Sequence, residues 1–502
     1  MSSTKRVARN TVVMYARMLV LMAISFYASR LLLSTLGVED FGVYSLVGSI
    51  ASSMAALKGL FSESIQRFLN NAKGNESVSE QKKIFNLGIS IHIILAVLFV
   101  VVVEIVGIWL INNKLAIPIA KLSTAYFVFH MTVIYAAINI LCVPYEAVII
   151  ANEKMGTYAF LSIFDASFRL LVTILLPVLP FIMLRTYALS IVMVPLVSLS
   201  FYFIYCRRFP ECSYSTYFDK TLFKKLFSFS SWNFLGNIAF SLLHEGINLL
   251  LNIFGGLVYN AARTVAYQVK NVASQLTTNT IISVRPIIMQ KAAYVENEKL
   301  FDDINTISRL SFFSIIIPTV PILAYCFQLL DIWLVDVPTS AVIFTRLVLI
   351  SVIVRSLHEP LNMMYMAIGK IKRMMLIESC VMLSFFVIIY LLLKNGFPVW
   401  SSFALLILME IAIIFSLVIN AKNELGFKPK AYFKHVIMPI SEISLILFVI
   451  IDAIIHFPAP KSVIAVLCFA VILCFSCIAL VFLFFDHREK SMFKKLVISK
   501  FQ

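Results

Sequence analysis

Long apolar runs constrain this chain more than any other feature. Stretches such as 84–110, 310–330 and 463–485 reach or exceed the roughly 20 residues that an α-helix needs to cross a bilayer. Because lipid offers the backbone no hydrogen-bond partners, such a run must bond to itself, as it does in a helix. Membrane-spanning β-strands are much shorter, which excludes an outer-membrane barrel. The sequence therefore predicts an all-α polytopic membrane protein.

About fourteen transmembrane spans account for these runs. Hydrophobic residues make up 61% of the 502 residues and charged residues 14%, whereas a soluble domain has about 45–50% and about 25%. This composition excludes a sizeable soluble domain. The predicted spans are 11–36, 41–69, 84–111, 122–150, 155–180, 186–206, 222–254, 258–290, 301–330, 341–368, 371–393, 398–420, 433–456 and 462–485.

Lysine and arginine are distributed unequally between alternate connections. With the N-terminus in the cytoplasm, the cytoplasmic segments carry 26 of these residues and the outer segments carry 5. Loops rich in lysine and arginine remain on the cytoplasmic side of the membrane, so both termini are predicted to be cytoplasmic. The formal net charge of +16 then comes mainly from these cytoplasmic segments, which are attracted to anionic lipid headgroups. No nucleic-acid partner is expected.

The chain also repeats itself once. "VPYEAVIIANEKM" and "EPLNMMYMAIGKI" align Pro144 with Pro360 at an offset of 216, "GIWLINN" parallels "DIWLVDV", and "LLLSTLG" parallels "LLLNIFG". Because the three pairs occur in the same order, we predict two pseudo-symmetric six-helix bundles plus two extra C-terminal helices. The predicted domains are an N-terminal bundle (1–206), a cytoplasmic linker (207–221), a C-terminal bundle (222–420), and the last two spans with a basic cytoplasmic tail (421–502).

A duplicated bundle of this kind is typical of transporters whose halves rock around a central site. Pro144 and Pro360 each interrupt a predicted span in this repeat. A proline removes a helix hydrogen bond, so each is either a tolerated kink or a hinge used in the rocking motion. Both interpretations stay open at the level of sequence.

The eighth predicted span carries three cations and no acid. At 100° per residue, Arg263, Lys270 and Arg285 share one helix face. Charge in a membrane interior needs a partner, which is either an anionic cargo or acids on other helices, such as Glu245, Glu378 or Glu410. Arg285 also matches Arg67 of the second span near the repeat offset, which favours a cationic cavity.

Other membrane charges are predicted to neutralise one another locally. Opposite charges four residues apart lie on one helix face. Three such pairs occur within the spans, namely Glu63 with Arg67, Asp165 with Arg169, and Arg355 with Glu359.

No motif indicates an enzyme or an ATP-driven pump. The chain has no phosphate-binding G-x-x-x-x-G-K-[ST] loop, no H-E-x-x-H and no G-x-S-x-G. No cofactor or metal is predicted; coupling to H⁺ or Na⁺ would need membrane acids. The candidates for that coupling are Glu63, Asp165, Glu245, Glu378 and Glu410, with Glu104, Glu442, His92, His130 and His244 also available.

Several segments resemble one known family. "RNTVVMYARM" followed by "SRLLLSTLGVEDFGVYSLVG" is similar to that family's first two helices, and "IQRFLNNAKG" to the end of its second. "VPYEAVIIANEKMGTY" resembles its fourth-to-fifth turn, and "ARTVAYQVKNVASQLTTN" with "RPIIMQKAA" resembles its eighth helix. The family is the MOP superfamily, and the branch is the polysaccharide-export branch of Wzx-type flippases.

The resemblance implies a specific function and location. Such a protein is a V-shaped pair of bundles in the bacterial inner membrane. It moves an undecaprenyl-diphosphate-linked oligosaccharide, such as an O-antigen (lipopolysaccharide), capsule or exopolysaccharide unit, from the cytoplasmic to the periplasmic leaflet. Arg263, Lys270 and Arg285, helped by Arg17, Lys58 and Arg67, would attract the diphosphate. A monomer is expected, in contact with membrane lipids and with the polysaccharide polymerase machinery.

Three alternatives stay open. A MATE-type multidrug antiporter of the same superfamily exports organic cations, which the cations of the eighth span disfavour. A lipid II flippase differs only in cargo, since its substrate is also a diphosphate. A polytopic glycan polymerase or ligase would carry a large external loop, whereas the outer loops here are short.

Overall fold

The computed structural model is helical throughout the part of the chain that it describes. It describes residues 3–53, 65, 68, 69, 72, 77–152, 154–178, 182–215, 219–294, 297–456 and 462–486. Only the backbone is described at 3–15, 52–53, 225–237, 276–287, 289–294 and 297–298. The helices fall into two compact units, 1–261 with 393–395, and 262–392 with 396–502.

The first unit contains the helices of the N-terminal half. They are α1 (Ser3–Ser53), α2 (Val78–Asn113), α3 (Ile119–Ala151), α4 (Met155–Leu175), α5 (Met183–Cys206) and α6 (Lys220–Gly255). Helix α3 packs against α2 and α5, and α1 packs against α4 and α6. Buried apolar side chains such as Phe85, Phe129 and Val133 form its core.

The second unit holds most of α7 (Leu257–Tyr294), which begins at the end of the first unit, and all later helices except the last two residues of α11. These are α8 (Asn297–Ala324), α9 (Cys326–Trp333), α10 (Ala341–Ile368), α11 (Ile371–Lys394), α12 (Ser401–Leu425), α13 (Pro429–His456) and α14 (Val463–Leu483). Helix α10 packs against α8 and α12, while α13 and α14 pack on α8.

Two glycines make equivalent turns in the two copies. Gly37 inside α1 has φ 74° and ψ 169°, and Gly256 between α6 and α7 has φ 85° and ψ −175°. This backbone region is essentially closed to residues with a Cβ. Each glycine therefore separates the first span of its copy from the second, where the sequence pairs "LLLSTLG" with "LLLNIFG".

The packing of the later spans repeats as well. In the first unit α3, the fourth span, contacts the third and sixth spans; in the second unit α10, the tenth span, contacts the ninth and twelfth. Helices α4 and α11 begin at Met155 and Ile371, at the offset of 216 that the prolines predicted.

The predicted fold class is confirmed. Twelve helical stretches of the described residues are long and apolar enough to cross a membrane. This number is lower than fourteen because the first two spans form one continuous stretch through Gly37, and because α7, although helical, is not among the twelve. The predicted ninth span is divided at Tyr325 into α8 and α9. The predicted domain boundaries, which follow the repeat, stay a prediction.

Candidate functional site

Two cations of α7 flank one aromatic ring. The Arg263 guanidinium carbon lies 3.9 Å from the centre of the Tyr267 ring, and the Lys270 ammonium nitrogen lies 4.5 Å from the same centre. The spacing of four and three residues brings them together because such positions share a helix face. Arg263 is 5% exposed, so its charge is held away from water by the helix packing.

A buried histidine on α10 joins α11 and α12. The Nε2 atom of His358 lies 2.9 Å from Oε1 of Glu378, and its Nδ1 atom lies 3.1 Å from Oε2 of Glu410. The imidazole is fully buried, and the two glutamates are 8% and 4% exposed. One side chain therefore contacts two carboxylates from two different helices.

An arginine one turn away compensates two carboxylates. Arg355 donates from Nε to Glu359 on its own helix at 3.1 Å and from Nη1 to Glu410 at 3.3 Å. The predicted pair of Arg355 with Glu359 is thus confirmed. Because Glu410 contacts both Arg355 and His358, the contacts form one network, which we call the carboxylate cluster: Arg355, His358, Glu359, Glu378 and Glu410.

Lys270 connects the two groups of charges. It acts electrostatically on the Glu410 carboxylate, besides lying over Tyr267. For Lys270, the interpretation that acids on other helices compensate the cations of the eighth span is therefore supported. Lys270 therefore lies over Tyr267 beside Arg263 and interacts with the carboxylate cluster, all within the second unit.

The other predicted site residues lie elsewhere. In the first unit, the Arg17 guanidinium carbon is 4.8 Å from the centre of the Tyr158 ring, and Glu245 is half-buried on α6. Arg285 lies on α7, but its side chain is not described. Lys58, Glu63 and Arg67 lie outside the described residues, and so does the predicted pair of Glu63 with Arg67.

A smaller polar group occupies the first unit. Nη2 of Arg169 donates to Asp165 at 2.7 Å, which confirms that predicted pair, and it also donates to the hydroxyl of Tyr135. The Ser198 hydroxyl donates to Asp165 at 3.3 Å. Asp165 is therefore already held by partners on α4 and α5.

Both predicted hinge prolines are buried inside unbroken helices. Pro144 lies within α3 and Pro360 within α10. Pro144 also borders a cavity of about 320 Å³ that His92 and Phe203 help to line. Their role as hinges stays a prediction.

Sequence reasoning missed His358 and Tyr267. The local signal for His358 was present, since three ionisable residues, Arg355, His358 and Glu359, fall within five positions of an apolar span. Its two carboxylate partners come from other helices, and no spacing rule reveals such contacts. Tyr267 could have been predicted from its spacing, because it lies between Arg263 and Lys270 on the same face of α7.

The carboxylate cluster has no counterpart in the first copy. At the positions of α3 that match Arg355, His358 and Glu359, the chain has Asn139, Cys142 and Val143. Cys142 and Val143 are buried apolar side chains. The equivalent central helices therefore share their packing and differ in their charge.

Solved membrane transporters share this fold. No family model and no curated protein matches the sequence. The lipid II flippase MurJ in an inward closed conformation is 15% identical over 98% of this chain and 100% of its own, with a TM-score of 0.69. An inward-facing multidrug resistance MATE family transporter of the MOP superfamily is 13% identical over 81% of this chain and 94% of its own, with a TM-score of 0.63. A MATE protein in complex with MaD3S is 14% identical over 85% and 97%, with a TM-score of 0.57. At these identities the likeness establishes the fold alone, so this multi-pass membrane protein shares the fold of these solved transporters.

Proposed function

We propose that this protein is a flippase for undecaprenyl-diphosphate-linked oligosaccharides. On this proposal it carries the lipid-linked unit from the cytoplasmic to the periplasmic leaflet of a bacterial inner membrane by alternating access, coupled to an ion gradient. The polysaccharide-export branch of the superfamily, and an O-antigen, capsule or exopolysaccharide unit as the glycan, belong to the same proposal. The protein acts as a transporter and has no catalytic residue.

The observation that carries the proposal is the pair of cations on α7. Arg263 and Lys270 lie on one face of a helix in the membrane-embedded fold, on either side of Tyr267. A guanidinium donates parallel hydrogen bonds that fit phosphate oxygens, and an ammonium adds a compact charge. A diphosphate headgroup is an anion of matching size and charge. The helical repeat predicts that Arg285 lies on the same face, next to Pro286.

The fold agrees with movement of a large lipid-linked cargo. Alternating access in repeated bundles moves one half against the other around a fixed site. The fourth and tenth spans pack equivalently in the two halves, and Pro144 and Pro360 occupy matching positions where hinges would be useful. The flippase MurJ, which shares this fold over nearly the whole chain, demonstrates that the architecture is compatible with a flippase.

The carboxylate cluster argues against an antiporter of organic cations. Glu378 and Glu410 are buried acids and Glu359 is half-buried, but Arg355 and His358 already contact them. A cationic drug would have to displace these internal cations. A lipid II flippase is the second candidate, and the likeness to MurJ favours it.

The decisive experiment measures leaflet accessibility in proteoliposomes. Purified protein is reconstituted with an undecaprenyl-diphosphate oligosaccharide, and a membrane-impermeant lectin or glycosidase reports the fraction that crosses. We expect protein-dependent crossing that Arg263→Ala, Lys270→Ala or Arg285→Ala abolishes without loss of expression. Arg185→Ala is the matched control, because Arg185 donates to Ser123 and Thr124 in the first unit, whereas Arg263 and Lys270 belong to the second.

Parallel vesicles separate the rival cargoes. Crossing of lipid II but of no longer glycan would move the assignment to a lipid II flippase. Uptake of organic cations without crossing of either lipid would support the antiporter. Full activity of the three single variants and of their triple combination would contradict a cationic binding face.

A further inference from the structure

We propose that His358, held between Glu378 and Glu410, is the site that binds and releases the coupling proton of this transporter. The inference rests on the proposed transport function and names its ion and its residue. It starts from the hydrogen bonds of one buried ring.

Both ring nitrogens of His358 face carboxylate oxygens. Nε2 is 2.9 Å from Glu378 and Nδ1 is 3.1 Å from Glu410. An ionised carboxylate only accepts hydrogen bonds, and a neutral imidazole carries a hydrogen on one nitrogen only. Both contacts are hydrogen bonds only if the ring is an imidazolium or if one glutamate is protonated. The arrangement therefore holds one proton more than a neutral histidine between two carboxylates.

The surrounding charges balance when this proton is present. Glu359, Glu378 and Glu410 are then opposed by Arg355, Lys270 and the imidazolium of His358. Loss of the proton leaves one negative charge uncompensated in a largely buried site. Because uncompensated buried charge is costly, proton loss favours a rearrangement of the helices.

Other ionisable groups near α10 have different partners. Arg309 on the neighbouring helix α8 donates to the backbone carbonyls of His435 and Phe484. Arg346, near the start of α10, donates to the carbonyl of Leu323, and Tyr365 donates to the carbonyl of Leu417. Of the ionisable groups named so far, Glu378 and Glu410 contact the His358 ring, while Arg355 and Lys270 act on Glu410.

The proton controls contacts between three helices. His358 lies on α10, Glu378 on α11 and Glu410 on α12. When the ring gives its proton to water, one nitrogen becomes an acceptor facing a carboxylate oxygen, and that contact is lost. No electrons move. The helix that carries this carboxylate, α11 or α12, then loses its contact with His358 on α10. In this way the proton gradient changes the packing of the helices.

Lys270 links this step to the cargo. It lies over Tyr267 on the proposed anion-binding face and also acts on Glu410. An anion that draws Lys270 towards itself weakens the compensation of Glu410, and Glu410 then holds the protonated His358 more strongly. Cargo binding and proton binding therefore favour each other, as linked equilibria must.

The test compares two buried histidines. Proteoliposomes containing an undecaprenyl-diphosphate oligosaccharide are given an imposed pH gradient, an imposed sodium gradient, or neither. We expect the pH gradient to accelerate crossing by the wild type and to lose this effect in His358→Gln. His92→Gln is the control, since His92 is equally buried in the first unit, where its Nδ1 lies 2.8 Å from the carbonyl of Gly88.

A milder change gives a second readout. Glu378→Gln keeps the size of the side chain and removes one of the two charges that retain the proton. The midpoint of the pH dependence should move towards acid by about 1–3 pH units, the usual effect of losing one adjacent opposite charge. An unchanged midpoint, or an acceleration by sodium alone that His358→Gln leaves intact, would overturn the proposal.

Histidine NMR separates this inference from the transport function. Ring-labelled protein in nanodiscs is titrated with pH, with and without undecaprenyl diphosphate, and the signal missing in His358→Gln is assigned to His358. We expect that signal to change between imidazolium and neutral forms, and the added lipid to shift its midpoint towards base. A His358 signal that stays in one form across the whole range would refute the proton site, whether or not the protein moves any lipid.

Discussion

Arg355 illustrates how single residues hold the charged site together. Its guanidinium bonds to Glu359 on the same helix and to Glu410 on a neighbouring one. Removing one partner of a buried ion pair leaves an uncompensated charge, which costs far more than the intact pair contributes. The arginine is therefore a structural requirement of the carboxylate cluster as well as a part of its charge balance.

Replacing this arginine should destabilise the protein markedly. Arg355→Met keeps the aliphatic stem but leaves Glu359 and Glu410 without this cation. Loss of one partner of a buried ion pair lowers the free energy of unfolding by roughly 3–5 kcal/mol. Because the Arg355 side chain is partly exposed, we expect a decrease near the lower end of this range. Reversible denaturation in mixed micelles measures this change.

The control is an ion pair at the surface. Lys121→Met removes contacts to Glu39 and Asp40 and should cost about 0–1 kcal/mol. The double variant Arg355→Met with Glu410→Gln should recover part of the loss. Equal losses for Arg355→Met and Lys121→Met would show that the cluster is not desolvated.

Local pairs were predictable at this scale and interhelical pairs were not. The pairs of Asp165 with Arg169 and of Arg355 with Glu359 follow from the helical repeat alone. The contact of His358 with Glu378 joins side chains of different helices, and their meeting depends on how α10, α11 and α12 pack. The sequence of an apolar membrane helix contains no periodic pattern that specifies which residues of neighbouring helices lie opposite one another.

At the scale of the element, small residues decide where helices approach closely. A Cβ built on Gly42 of α1 would lie 2.5 Å from the backbone carbonyl oxygen of Leu257, whereas one built on Gly48 of the same helix meets nothing within 4 Å. A backbone atom cannot rotate away as a side-chain end can. Gly42 therefore sets the distance between α1 and the start of α7.

These two glycines give a matched pair of variants. Gly42→Ala should lower the free energy of unfolding by about 1–3 kcal/mol through overpacking. Gly48→Ala should raise it by up to about 1 kcal/mol, because alanine favours a helix over glycine. Denaturation of both variants in the same micelles makes the comparison. Equal stability of the two would mean that α1 and α7 can separate at no cost.

Helix boundaries were predictable wherever apolarity ends abruptly. The tenth span was predicted at 341–368 and is a helix over Ala341–Ile368. The interruption at Tyr325 was not predicted, because α8 and α9 are continuous in hydrophobicity and the break lies in the backbone dihedral angles of Tyr325 (φ −102°, ψ 32°). Such a break leaves no trace in hydropathy.

At the scale of the whole molecule, the unequal basic loops predict an orientation that chemistry can test. Asn113 at the end of α2 and Ser213 after α5 are both exposed, and they lie on connections predicted to face opposite sides. In a cysteine-free background, Asn113→Cys should react with an impermeant maleimide added to intact spheroplasts. Ser213→Cys should react only after the membrane is permeabilised. The reverse pattern would place both termini outside.

The repeat was the most useful whole-molecule signal in the sequence. The offset of 216 between Pro144 and Pro360 anticipated the starts of α4 and α11, because corresponding helices occupy corresponding places. It did not indicate which half would carry the buried charge. That property depends on a few side chains, which the two copies do not share.

The contrast between α3 and α10 suggests a division of labour within a duplicated chain. Asn139, Cys142 and Val143 leave this stretch of α3 uncharged, while Arg355, His358 and Glu359 make the matching stretch of α10 ionisable. A hybrid built from two first halves would keep the architecture and lack the carboxylate cluster. Transplanting the three α10 residues alone would not create one either, since their partners reside on α11 and α12. The charged network therefore depends on α10, α11 and α12 together. These three helices would have to be inherited or engineered as a set.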